Sequence, residues 1–152
     1  MPRLLTLLLA LTAFLAPAAR AQDDPPPPAG SFKIFFDPTL QSTPYTGRVY
    51  IALAKGGRGE PRQQMGDWFG GSQTLALDVK DLAPGGSVIV GADALAFPKP
   101  YAEISEGEYT VQAVARRSLD SANPGKGEGD LYSKPLKAVS YTHLTLPTNR
   151  EV

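Results

Sequence analysis

Period-two alternation constrains this chain more than any other feature. In residues 48–54, Val49, Ile51 and Leu53 share one face, and Tyr50, Ala52 and Ala54 share the other. In residues 73–79, Leu75, Leu77 and Val79 oppose Thr74, Ala76 and Asp78. In residues 108–116, Tyr109, Val111, Ala113 and Ala115 oppose Thr110, Gln112, Val114 and Arg116. Successive side chains of a strand point to opposite sides, so each run reads as a strand with one face on a core. Phe32, Ile34 and Phe36 repeat the pattern in residues 31–36, and residues 87–90 are short, apolar and β-branched. The last run, 131–139, is interrupted by Pro135. Proline cannot donate to a ladder, so this strand is expected at an edge or with a bulge. Pro84-Gly85-Gly86 is tight enough to join the third and fourth strands as a hairpin. No later stretch carries a sustained helical period, and residues 93–97 offer one helical turn at most. Short strands separated by Gly/Pro loops predict an all-β chain, an antiparallel β-sandwich over residues 31–139.

The chain ahead of this region has a different character. Arg3 precedes an almost unbroken apolar run from Leu4 to Leu15, and Ala19-Arg20-Ala21 closes it with small residues. This is the layout of a cleaved secretory signal peptide over residues 1–21. The run is too short for a membrane span, which takes roughly 18 residues or more, so no stable membrane insertion is expected. Residues 22–30 (QDDPPPPAG) form a Pro-rich linker whose four prolines favour a stiff polyproline II spacer. The protein is therefore expected to be exported, to the periplasm or the extracellular space.

Composition narrows the chemistry. Without the leader, 13 basic residues face 15 acidic ones, a net charge of −2, and no basic stripe marks a nucleic-acid partner. There is no cysteine, which excludes disulfides, cysteine zinc sites and thiol catalysis. Stability after export must come from packing alone. No catalytic residues are assigned: there is no Gly-x-Ser-x-Gly elbow, and His143 is the sole histidine. Lys55-Gly56-Gly57-Arg58-Gly59 lacks both the P-loop and the dinucleotide patterns. Asp120 and the loop 123–130 (NPGKGEGD) offer oxygen ligands for calcium, but the spacing departs from an EF-hand. A solvated hairpin loop is the expected reading there, with no metal and no cofactor.

Binding is expected in the loop 56–72. It holds Trp68 and Phe69 together with Met65 and Arg62. An aromatic pair in a loop can stack on a glycan, dock on a neighbouring domain, or fold back over its own core. Two further residues read as structural. Ile104-Ser105-Glu106-Gly107-Glu108-Tyr109 puts a glycine and a tyrosine at the entry to the best-patterned strand. This resembles the tyrosine corner of immunoglobulin-like sandwiches, in which the tyrosine hydroxyl bonds backbone a few residues upstream. Tyr109 and Gly107 are accordingly expected to shape the strand entry.

A broader resemblance covers residues 47–133. The segments GRVYIALAK at 47–55, EPR at 60–62, DWF at 67–69, ALDVKDLAPGGSVIV at 76–90, FPKPYAEISEGEYTVQAV at 97–114 and DLYSKP at 130–135 carry it. They resemble the N-terminal domain of exported bacterial esterases of the enterochelin-esterase-like type. The resemblance implies an immunoglobulin-like domain followed by an α/β-hydrolase domain, with none of the catalytic positions in this chain. The implied role is a non-catalytic accessory domain of an exported esterase, its partner the downstream hydrolase domain. A stand-alone exported carbohydrate-binding or structural module is the alternative. Residues 140–152 do not extend the strand pattern and resemble a translated sequencing adapter, so a non-native or disordered tail is expected there. If the leader reading holds, Edman sequencing of the protein recovered after expression in a secreting bacterial host starts at Gln22; a start at Met1 or Pro2 refutes it.

Overall fold

The computed structural model describes residues 28, 30–56, 59–67, 71–139 and 144–150. Among these, nine strands follow in order: β1 (Phe32–Phe35), β2 (Tyr45–Ala54), β3 (Gln73–Leu82), β4 (Ser87–Val90), β5 (Leu95–Phe97), β6 (Glu108–Ala115), β7 (Leu131–Ser133), β8 (Leu136–Val139) and β9 (Leu144–Arg150). Helical backbone among the described residues is confined to two 3-10 turns, Pro61–Gln64 and Tyr101–Glu103. The described residues are all-β, as the alternation requires. Residues 1–21, expected to be a leader, and most of residues 22–30, expected to be a linker, lie outside the described residues.

The strands pair in the spatial order β4-β1-β9-β7-β6-β2-β3-β5, with β8 also beside β6. Every pairing is antiparallel except β1 with β9, which is parallel. Val49 faces Leu77 on one neighbour and Ala115 on the other, while Ile51 sits between Leu75 and Ala113. These inward residues join Phe32, Ile34 and Phe36 of the β1 region and Val90 of β4 in one core cluster. Fully burying an aliphatic or aromatic side chain of this size contributes about 1.5–3 kcal/mol. Without disulfides, this cluster is the main source of stability.

Two tyrosines tie the ends of the strands. The Tyr109 hydroxyl donates to the Ser105 carbonyl at 2.6 Å, four residues upstream, and the ring is buried. The intervening Gly107 has φ 143°, a value that side-chain-bearing residues rarely adopt. The Tyr45 ring stacks at a tilt on Phe36, with centroids 5.1 Å apart. Its hydroxyl lies 3.0 Å from the Arg48 carbonyl and 2.9 Å from that of Arg116. That contact ties the start of β2 to the chain leaving β6. On the exposed side, Arg48 and Asp78 are register partners and form a two-pronged ion pair at 2.6 and 2.7 Å.

The structure corrects the sequence reading in three places. First, β3 and β4 are not a hairpin: β4 pairs with β1, and β3 with β2 and β5. The turn closes by a Gly86 N–H to Ala83 carbonyl bond, but Phe36 captures it through the Gly85 N–H and Gly86 carbonyl. This sends β4 across to β1. Second, residues 95–97 are a strand, not a helical turn, because a turn from Gly91 to Ala94 delivers Leu95–Phe97 to the free edge of β3. Third, the loop 123–130 is not simply solvated, since Asp130 is fully buried. Residues 144–150, within the tail expected from sequence to be non-native or disordered, pair as β9 with β1 and β7. The free edges of β1 and β7 supply partners that the local pattern does not announce. The break at Pro135 behaves as expected. Val114 faces Tyr132 and Val111 faces Leu136, so three steps along β6 match four along β7 and β8. The extra residue is a bulge.

Burial raises the Tyr45 phenol well above its ordinary pKa of 10.0, with the nearby Asp130 carboxylate adding to the effect. The folded state then resists ionisation while the unfolded chain ionises freely. Tyr45 stabilises fully below pH 10, and its contribution falls as pH rises beyond that value. In urea titrations between about pH 9 and 11, the parent should lose stability faster than Tyr45→Phe. Parallel slopes for the two proteins would contradict this assignment.

Candidate functional site

The cross-strand registers build a second face as well as the core. Leu95, Ala76, Tyr50, Val114 and Tyr132 are successive register partners and form one row across β5, β3, β2, β6 and β7. Phe97, Thr74, Ala52 and Gln112 form the next. Both rows lie on the side away from the main core. An antiparallel sheet commonly leaves such a face to water. Here one half is covered by two loops and the other half is open.

The first cover is the segment 60–67. Met65 is 3% exposed and packs on Ala52 and Val114, with Tyr50 and Tyr132 around them. Arg62 is 6% exposed. Its Nε donates to Glu60 at 2.5 Å, its Nη1 donates to the Gly125 carbonyl, and its guanidinium lies 3.9 Å from the Tyr132 ring centroid. A planar guanidinium suits this combination of stacking and fixed donors. Beneath it, the fully buried Gln112 amide closes the attachment. Gln112 Oε1 accepts from the Arg62 N–H at 3.1 Å, and Nε2 donates to the Ser133 carbonyl at 2.8 Å.

The second cover is the loop 117–130, organised by Asp130. One carboxylate oxygen accepts from the N–H groups of Arg117 (2.7 Å) and Ser118 (2.9 Å). The other accepts from Gly125 (2.8 Å) and Gly127 (3.2 Å). Four backbone donors thus converge on one buried carboxylate, an arrangement that compensates its desolvation. Gly125 has φ 78°, and a Cβ there would lie 3.0 Å from a Val114 methyl. Only glycine lets the loop settle so closely on β6.

Between these covers and the edge strand β5 the open half forms a groove of about 310 Å³. Tyr50, Ala76 and Thr74 make its floor, Met65 and Pro124 one wall, and Leu95 and Phe97 the other. Leu95 is 64% and Phe97 67% exposed, two large apolar side chains side by side on an edge strand. Arg48, bonded to Asp78, stands at the rim. The guanidinium holds the Asp78 carboxyl below its ordinary range, and both charges remain in water, where such a pair adds little stability. The groove offers apolar contact with a fixed charge pair alongside.

Of the residues singled out from sequence, Met65 and Arg62 come together under the first loop. Met65 also reaches the groove wall, whereas Arg62 is turned inward and holds the loop down. Trp68 and Phe69 lie outside the described residues, as does His143. Tyr109 and Gly107 sit at the entry to β6, away from the groove. Sequence reasoning missed Leu95 and Phe97, whose three-residue alternation is too short to register. It also missed Asp130, whose flanking glycines were the available signal. Comparison with protein-family models, characterised proteins and solved structures finds no match to this chain.

The loop assignment has a measurable consequence. Asp130→Ala strands four N–H donors and should cost about 3 kcal/mol in urea unfolding, with Asp130→Asn intermediate. A loss below about 0.5 kcal/mol would show that Asp130 does not organise the loop.

Proposed function

We propose that this chain is an immunoglobulin-like β-sandwich serving as a non-catalytic accessory domain of an exported esterase. It docks on the hydrolase domain through the outer-face groove. The observation that carries this reading is the pair Leu95 and Phe97, exposed together beside a preformed apolar floor. Large exposed apolar side chains next to a concave apolar surface mark contact with another protein surface. The bond from Tyr109 to the Ser105 carbonyl supports the immunoglobulin-like assignment, because it has the span and direction of a tyrosine corner. The esterase resemblance supports the rest, since its segments map onto the framework of the groove. GRVYIALAK supplies most of β2, ALDVKDLAPGGSVIV runs from β3 through β4, and FPKPYAEISEGEYTVQAV runs from the end of β5 into β6. Export rests on the layout of residues 1–21.

In this reading the module contributes surface and orientation, and the reacting groups belong to its partner. The test joins the coding sequence to binding. The reading frame should continue past residue 139 into a segment containing Gly-x-Ser-x-Gly. The purified chain should bind that segment's product in trans. The double variant Leu95→Asp/Phe97→Asp should weaken the complex by 2 kcal/mol or more, about thirtyfold, while leaving the urea midpoint of the isolated domain nearly unchanged. A natural stop codon shortly after residue 139, or ester cleavage by this chain alone, refutes the proposal.

A further inference from the structure

A second concavity lies at the opposite end of β2 from the Arg48–Asp78 pair, and its chemistry is different. It is a cleft of about 330 Å³, within the range of small-molecule sites. Leu53, Pro98 and Ile104 form an apolar wall. Lys55 and Lys99 are the two cationic residues of its lining, and no carboxylate lines the cleft among the described residues. Among the described residues, neither lysine takes part in an ion pair.

Both lysines are held by the fold. The Lys55 ammonium donates to Ser105 Oγ at 2.7 Å and stands 5.1 Å from the Tyr109 ring centroid. Ser105 is itself fixed, because its carbonyl accepts from the Tyr109 hydroxyl. Lys99 is anchored through its backbone. Gln73 Oε1 accepts from the Lys99 N–H at 3.2 Å, and Gln73 Nε2 donates to the Lys99 carbonyl at 2.8 Å. A side-chain amide here takes the place of a strand partner and sets where Lys99 starts. Two uncompensated cations on a concave surface concentrate anions. The Ser105 and Tyr109 hydroxyls retain acceptor capacity for a ligand's own hydroxyl groups.

We infer that this cleft binds a sugar carrying a carboxylate, a hexuronic acid unit such as those of acidic polysaccharides. The carboxylate lies between Lys55 and Lys99, and the apolar face of the ring lies against Pro98 and Ile104. A simple inorganic anion would leave the apolar wall unused, and a neutral sugar would leave both ammoniums unpaired. This assignment is independent of the docking groove and of any hydrolase partner.

Calorimetric titration of the purified full chain separates the possibilities. The probes are digalacturonate, a neutral digalactoside and sodium acetate. Digalacturonate should bind with a Kd on the order of 1 mM or tighter, at least tenfold more tightly than either of the others. Lys99→Gln, at an exposed position, should weaken it tenfold or more, and Lys55→Gln likewise. Lys80→Gln, at an exposed site remote from the cleft, should leave it unchanged. Raised salt should weaken binding, because both charges face water. Equal affinity for the neutral disaccharide overturns the role of the lysines. Equal affinity for acetate overturns the sugar assignment. No heat with digalacturonate, or unchanged affinity in both lysine variants, overturns the site.

Discussion

The structure depends on how the second face of β6 is covered, and a single buried amide anchors that cover. Gln112 sits fully buried on the side of β6 away from the main core. An amide in that position is tolerated only if its oxygen and nitrogen both find partners. They do so by binding the Arg62 N–H and the Ser133 carbonyl. The same amide thus joins the segment 60–67, strand β6 and the bulge region after β7. Met65 then seals Ala52 and Val114 from water. Removing the partners would leave a buried donor and acceptor unpaired, which is costlier than never having placed a polar group there.

The charged groups near this cover divide into two kinds. Arg62 and Asp130 are buried and spend their hydrogen bonds on backbone and neighbouring side chains, so they act as fasteners for two loops. The Arg48–Asp78 pair is in water and contributes little to stability. Lys55 and Lys99 are exposed without anionic partners among the described residues, and this separates their cleft from the apolar groove. The two concavities therefore call for different occupants: one presents apolar side chains of an edge strand, and the other presents paired positive charge.

The strands were legible where the alternation was long. Residues of β2, β3 and β6 face the core in the order that their spacing requires, and Pro135 breaks the last long run with a bulge. The short pieces were not legible. Three residues at 95–97 carry too little periodicity to be distinguished from a turn, and the partner of β4 is chosen by Phe36 from far along the chain. The loops misled for a related reason. A run rich in Gly, Lys and acids reads as solvated, yet the N–H groups that glycines free for contact converge on Asp130 and draw it inside. Of the residues marked for binding, Arg62 is a fastener whose partners Tyr132 and Gly125 lie far away in sequence.

The sequence by itself determined the strand type, the identity of the core face and the absence of disulfides. Each of these follows from a property that acts within a few residues: side-chain period or a missing thiol. Only the tertiary structure decided which edges pair, which half of the outer face is covered, and where Leu95, Phe97, Lys55 and Lys99 come to lie. These outcomes depend on contacts between segments tens of residues apart. Such contacts form wherever buried polar groups can be satisfied together, a condition that no local pattern expresses.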